Sequence, residues 1–302
     1  MLEKYPHLNL LIKESQSQKR LGVVFPLNEP SLETVVQLQK YALCTPVLIG
    51  PKLEIDALAK RVSLKLDGIE IVDTPNDPIA AAKTAVTLAK SGNVSALMKG
   101  SLHTEDLMGP VVGKDGLRTS RRTSHIFLFE LPSYHKLLGI SDCVVNIAPS
   151  IEHKKDILLN SLEALFKLGV TKPKVAIIAA TEVINPAMQA TLDAKVLVDL
   201  QQDNAFFPGA LIEGPFGFDN AISASSAATK GIQSTVSGDP DLLLVPDLGA
   251  GNILYKSLVY MAGAECAGVI LGTAVPVILT SRSDSVFSRV ASTALAMRLA
   301  LN

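Results

Sequence analysis

Short apolar runs rich in β-branched residues alternate along this chain with longer stretches in which apolar side chains return every three or four positions. The first pattern belongs to buried parallel strands and the second to crossover helices, so the alternation predicts an α/β fold. Strands are predicted at Val47–Ile49, Ile69–Val72, Ser95–Met98, Val175–Ile178 and Leu242–Val245, each too short to be a stable helix. Helix starts carry capping chemistry: Ser31 before Leu32, Asp77 before Pro78, and Asn185 before Pro186. Apolar spacing continues the helices. Leu158, Leu162, Leu165 and Phe166 share one face, and Leu254, Leu258, Met261 and Ala262 share another. Val286, Val290, Ala294, Met297 and Leu301 form a third stripe, so the last helix is expected to dock on the core.

No low-complexity linker or fixed-period repeat divides the chain. A first boundary is placed near Leu138-Gly139-Ile140, between a basic stretch (Lys114, Arg118, Arg121, Arg122) and a new strand and helix succession from Cys143. The length of 302 residues, 48% of them hydrophobic, favours two domains over one. A formal net charge of -1 provides no global field to hold nucleic acid or an anionic membrane, so any anionic ligand must be held locally. With no tryptophan and 5% aromatic residues, base-stacking surfaces are not expected either.

Cys44, Cys143 and Cys266 are odd in number, far apart and set among apolar residues, the pattern of buried thiols in a reducing compartment. The opening Met1-Leu2-Glu3-Lys4-Tyr5-Pro6 lacks a signal-peptide pattern, so a cytoplasmic location is expected. The longest apolar run, Ala267 to Leu279, is shorter than a membrane span and interrupted by Gly268, Gly272 and Pro276.

Several signatures are missing. Gly249-Ala250-Gly251-Asn252-Ile253-Leu254 carries leucine where a dinucleotide fingerprint needs its third glycine. Gly109-Pro110-Val111-Val112-Gly113-Lys114 is one residue short of a P-loop. The five histidines show no metal-ligand spacing, so no metal is implied.

What remains is a set of small, polar strand ends. Pro246-Asp247-Leu248-Gly249-Ala250-Gly251-Asn252 follows a strand and precedes a helix, where free N–H groups favour an anion; an ordinary tight turn fits as well. Lys256, read as lying in that helix's first turn, is unfavourable there without an anion nearby, although a solvated surface lysine remains an alternative. Lys99-Gly100-Ser101-Leu102-His103-Thr104 leaves another strand, and Glu213-Gly214-Pro215-Phe216-Gly217-Phe218-Asp219-Asn220 couples a turn to a helix start with Asp219 as its cap. In Thr280-Ser281-Arg282-Ser283-Asp284-Ser285, either Ser283 or Asp284 caps the last helix, or Arg282 clamps a phosphate while a serine hydroxyl faces a reacting carbonyl.

Taken in order, Lys99-Gly100 with His103-Thr104, Glu213-Gly214-Pro215 with Phe218-Asp219-Asn220-Ala221, Val245-Pro246-Asp247 with Ala250-Gly251-Asn252, Tyr255-Lys256 and Ser281-Arg282 resemble the phosphate acetyl/butyryltransferases, closer in motif to the butyryl branch. The resemblance implies a two-domain fold like isocitrate and isopropylmalate dehydrogenases, with the active site in the cleft. It also moves the boundary: residues 1–138 with 271–302 would form one domain, and 139–270 the other. Implied too are homodimers, no metal, no tightly bound cofactor, and coenzyme A as substrate. The reaction would exchange an acyl group between acyl-CoA and inorganic phosphate, giving acyl phosphate and free coenzyme A. Ser281 would be the oxyanion donor, Arg282 the phosphate clamp and Asp284 the base. Lys99, His103, Thr104, Asp219, Asn220, Gly251, Asn252 and Lys256 would bind substrate or coenzyme A.

The sequence departs from the acetyl pattern six positions after Arg282, where the family acid is replaced by Ser288. Two rivals follow: a metal-dependent nicotinamide dehydrogenase of the same fold class, and a non-catalytic binder of coenzyme A or acyl phosphate.

Overall fold

The computed structural model describes residues 4–204, 206–279, 281 and 284–300. Its elements, numbered in chain order, are α1 (Pro6–Glu14), β1 (Arg20–Val24), α2 (Glu29–Lys40), β2 (Thr45–Gly50), α3 (Lys52–Arg61), β3 (Glu70–Asp73), α4 (Pro78–Lys90), β4 (Ala96–Lys99), α5 (Thr104–Val112), β5 (Ser124–Glu130), β6 (Leu138–Ser141), α6 (Ile151–Lys167), β7 (Lys174–Ile178), α7 (Gln189–Asn204), β8 (Leu211–Phe216), α8 (Phe218–Ile222), α9 (Ala224–Thr229), β9 (Leu242–Leu244), α10 (Leu248–Met261), β10 (Glu265–Leu271), β11 (Val277–Ile278) and α11 (Val286–Leu299). The fold is α/β, and the five predicted strands coincide with β2, β3, β4, β7 and β9, each within one residue at both ends except that β2 begins two residues before Val47.

Contacts group residues 1–123 with 266–302 as one compact unit and 124–265 as another. In the first unit the strands run in the order β3-β2-β1-β4-β11-β10, parallel except for β10 against β11. In the second the order is β5-β6-β9-β7-β8, with only β5 antiparallel to its neighbour. Inner strands such as β4 and β9 are buried along their whole length, which is why they read as unbroken apolar runs.

Local chemistry explains where the helices begin. Asp77 caps α4, its Oδ1 accepting the Ile79 N–H at 2.9 Å, with Pro78 in the first position. Ser31 does not cap α2; Asn28 does, accepting the Ser31 N–H at 3.0 Å while Pro30 sits in the first turn. Asn185 accepts the Ala187 N–H at 2.9 Å and closes a local turn, and the helix waits until Gln189.

Two predicted faces change. In α6, Leu158, Leu162 and Leu165 are buried but Phe166 lies at the edge of the stripe, 39% exposed. In α10 only Gly251 and Leu258 are buried, and Met261 is 86% exposed. Helix α11 goes the other way. It touches β4 and β11 and also α1 and α2, so Ser288 to Met297 are buried all round rather than along one stripe, while Val286 is half-buried and Leu301 lies outside the described residues.

Candidate active site

Strands β4 and β11 are parallel neighbours in register, Leu97 opposite Val277 and Met98 opposite Ile278. Both therefore release their following segments at the same edge of the first unit, Lys99 to Thr104 from one and the segment containing Ser281 and Asp284 from the other. Lys99 is buried, and its Nζ donates to the carbonyls of Gly100 at 3.3 Å and Leu102 at 3.1 Å. Gly100 has no room for a side chain: a Cβ would lie 2.5 Å from the Val24 carbonyl oxygen. Ser101 locks this turn to the end of β1, donating to the Phe25 carbonyl at 2.8 Å and accepting the Leu27 N–H at 3.2 Å. His103 is exposed at the N-cap of α5, its backbone N–H bonded to Asp106 at 3.3 Å, and Thr104 is the first residue of that helix.

Arg282 and Ser283 lie outside the described residues. Of their neighbours, Ser281 donates its N–H to the Asp284 carboxylate at 2.6 Å and accepts from the Arg289 guanidinium at 2.7 Å through its carbonyl. Asp284 therefore closes the loop and is not the helix cap; Ser285 caps α11, accepting the Ser288 N–H at 2.9 Å. Ser288, at the family's acid position, is buried and donates to the Cys266 carbonyl at 2.6 Å, so it faces the core.

In the second unit the predicted residues form two groups. At the end of β8, Asn220 is fully buried and donates to Glu182 at 3.0 Å. Asp219 lies in the first turn of α8 and does not cap it, since Gly217 is the N-cap. Lys230 reaches both acids, Glu182 at 3.2 Å and Asp219 at 3.5 Å. The Asp219 carboxyl is held below its usual value by the Ser226 hydroxyl first and by the Asn220 N–H and Lys230 after it. That of Glu182 is held down by its own backbone N–H and then by Lys230.

At the end of β9, Asp247 caps α10 through the Ala250 N–H at 2.9 Å, so Gly249, Ala250 and Gly251 are helical and not a loop. Gly251 faces the turn that follows β6, and Asn252 donates to the Cys143 carbonyl there at 3.4 Å. That turn is built on buried Asp142, which accepts from the N–H groups of Val144, Val145 and His125 and from Asn146. Burial raises the Asp142 carboxyl pKa in spite of these bonds. Lys256 is exposed in the third turn of α10, because the helix starts at Leu248, so the dipole argument for an anion beside it does not hold. Strand β7 separates β8 from β9, which keeps the Asp219 and Gly251 groups apart in strand order.

Asp142, Glu182, Lys230 and Arg289 are the residues that sequence reasoning passed over. The available signal was strongest for Arg289, a cation in the first turn of a helix that apart from Arg298 in its last turn is composed of apolar and small polar residues. Among the described residues no group of three His, Cys, Asp or Glu could hold a metal, and no helix is long and apolar enough to cross a membrane. All three cysteines are buried, and burial pushes the Cys44 thiol up to about 12.

A family model described as phosphate acetyl/butaryl transferase matches residues 79–297, a span that contains every candidate site residue. The chain belongs to the phosphate acetyl/butyryltransferase family. It is 42% identical to a phosphate acetyltransferase of Rhizobium meliloti over 91% of this chain and 86% of that protein. It is 36% identical to a phosphate butyryltransferase of Clostridium acetobutylicum over the whole of both. Among solved structures it resembles a branched-chain phosphotransacylase from Enterococcus faecalis V583, with a TM-score of 0.82 and 31% identity over 93% of this chain and 99% of that one. Neither the dehydrogenase nor the non-catalytic reading is favoured by these relatives.

Proposed function

We propose that this chain exchanges a short acyl group between coenzyme A and phosphate. The observation that carries the reading is that the Lys99 and Ser281 segments follow neighbouring parallel strands at the same sheet edge, inside the span matched by the family model. In the direction of acyl-CoA synthesis the thiol sulfur attacks the acyl phosphate carbonyl carbon. A carbon–sulfur bond forms, the bond from that carbon to the phosphate oxygen breaks, and the thiol proton passes to a base. Ser281 is the proposed oxyanion donor and Arg282 the proposed phosphate clamp. Asp284 is the proposed base; what supports it over the family's usual position is that Ser288 is a hydroxyl turned into the core.

Lys99, His103 and Thr104 are proposed to complete the anion site of the first unit, and Asp219, Asn220, Gly251, Asn252 and Lys256 to contact coenzyme A. The grouping of residues 1–123 with 266–302 supports a first domain to which the chain returns at its end. A dehydrogenase-like arrangement with an active-site cleft rests on the family resemblance alone. Exposed Ile253, Tyr260 and Met261 on α10 support a homodimer. A cytoplasmic enzyme with no tightly bound cofactor completes the reading.

Two variants test the roles. Arg282→Ala is expected to abolish turnover, and Asp284→Asn to lower it and remove the acidic limb of its pH profile. An Asp284→Asn enzyme with unchanged turnover and unchanged profile would remove Asp284 from the mechanism.

A further inference from the structure

We propose that Arg289 is a positioning residue for the Ser281 segment, gripping it from the buried side so that Ser281 keeps one place during acyl transfer; this rests on the reading above. Arg289 is 3% exposed in a helix whose other buried residues are apolar or small. A guanidinium persists in such a place when its donors are used. Here they reach back out of the helix: Nη2 donates to the Ser281 carbonyl at 2.7 Å, within the range of charge-assisted bonds, and Nε to the Asp284 carbonyl at 3.5 Å. One planar group thus spans both described ends of the segment.

The Ser281 peptide is gripped on both polar groups. Its N–H goes to the Asp284 carboxylate at 2.6 Å, and its carbonyl takes both Arg289 and, at 3.3 Å, the Asp284 N–H. Burial lowers the affinity of Arg289 for its proton and the facing Asp284 carboxylate restores part of it, so the cation and the loop acid support each other. A group that stabilises an oxyanion works only if it is already placed where charge develops. Loosening the peptide therefore weakens the transition state more than the bound substrate.

The test compares Arg289→Met, Arg289→Lys and Arg289→Ala with the full-length wild type, reading kcat, KM for acyl-CoA, and hydrogen exchange at the Ser281 amide. Arg289→Met is expected to lose about 100-fold in kcat with KM changed by less than about threefold. Arg289→Lys, which keeps the cation and most of the stem, is expected to lose only about tenfold. Guanidinium ion added to Arg289→Ala is expected to restore part of the lost kcat. The Ser281 amide is expected to exchange at least about tenfold faster in Arg289→Met.

Wild-type kcat in Arg289→Met, or unchanged exchange at Ser281, overturns the proposal. So does a loss of kcat that only tracks melting temperature and is not relieved in the lysine variant or by guanidinium. A wild-type chain that turns over no acyl-CoA refutes the acyl-transfer reading, and the exchange measurement still decides Arg289.

Discussion

Replacing Gly251 by alanine sets two effects of opposite sign against each other. Gly251 is the fourth residue of α10, and alanine there gains about 1 kcal/mol of helix propensity. The new Cβ would lie 2.8 Å from the Asp142 carbonyl oxygen, 2.9 Å from Val245 Cγ2 and 3.1 Å from Cys143 Cα. Two of these are backbone atoms in the turn fixed by the Asp142 carboxylate, so they do not give way cheaply. Overpacking of this kind costs about 1–3 kcal/mol, and rigid obstacles place it in the upper half of that range. The expected net loss is roughly 1–2 kcal/mol, or about 2–4 °C in melting temperature for each kcal/mol. Gly249→Ala, two residues earlier, meets only the Asp247 Oδ1 at 3.2 Å and is expected to be neutral or stabilising by up to about 1 kcal/mol. Thermal unfolding followed by circular dichroism measures both. A Gly251→Ala protein as stable as Gly249→Ala would refute the close packing of α10 on the turn after β6.

Two further outcomes follow from buried charge. Lys154 and Asp193 form an ion pair at 2.6 Å, both buried, with Gln189 donating to the same carboxylate at 2.8 Å. Lys154→Met leaves that carboxylate without its cation and is expected to cost about 3–5 kcal/mol, while Lys154→Met combined with Asp193→Leu costs much less; a single-variant loss under about 1 kcal/mol in chemical unfolding would contradict this. His125 is fully buried, and burial pushes its imidazole down from 6.5 to about 3, so it stays neutral in the folded state where the unfolded chain takes up a proton. Its contribution is complete above about pH 6.5 and declines as pH falls from there toward about 3. Thermal midpoints measured from pH 7 to pH 4 are expected to fall less steeply in His125→Asn, and equal slopes would count against the assignment.

The strands and most crossovers were legible because each is decided by a few neighbouring residues. β2 and β9 are apolar runs that only a doubly covered strand would use, and Asp77-Pro78 is a complete helix start in two residues. Reading failed where two local signals compete. Gly249-Ala250-Gly251 has loop composition, yet the Asp247 cap makes it helical and carries Lys256 two turns away from the helix N-terminus. Ser285 takes the capping role that Ser283 or Asp284 could have held, which turns Asp284 toward the Ser281 N–H. Partnerships between distant residues left no local trace at all: Lys154 with Asp193, Asn220 with Glu182, and Asn252 with the Cys143 carbonyl depend on which strands become neighbours. The ordered set of strand-end motifs was therefore readable as chemistry, while the residues that hold those ends in place were not.

The central claim is acyl exchange between coenzyme A and phosphate without a metal. It is tested most directly by incubating the chain with acetyl-, propionyl- or butyryl-CoA and inorganic phosphate in the presence of a chelator, and following thiol release together with acyl phosphate. The expected result is phosphate-dependent release of thiol with an equal amount of acyl phosphate for at least one chain length. No thiol release with any of the three, from a folded protein, would contradict the account.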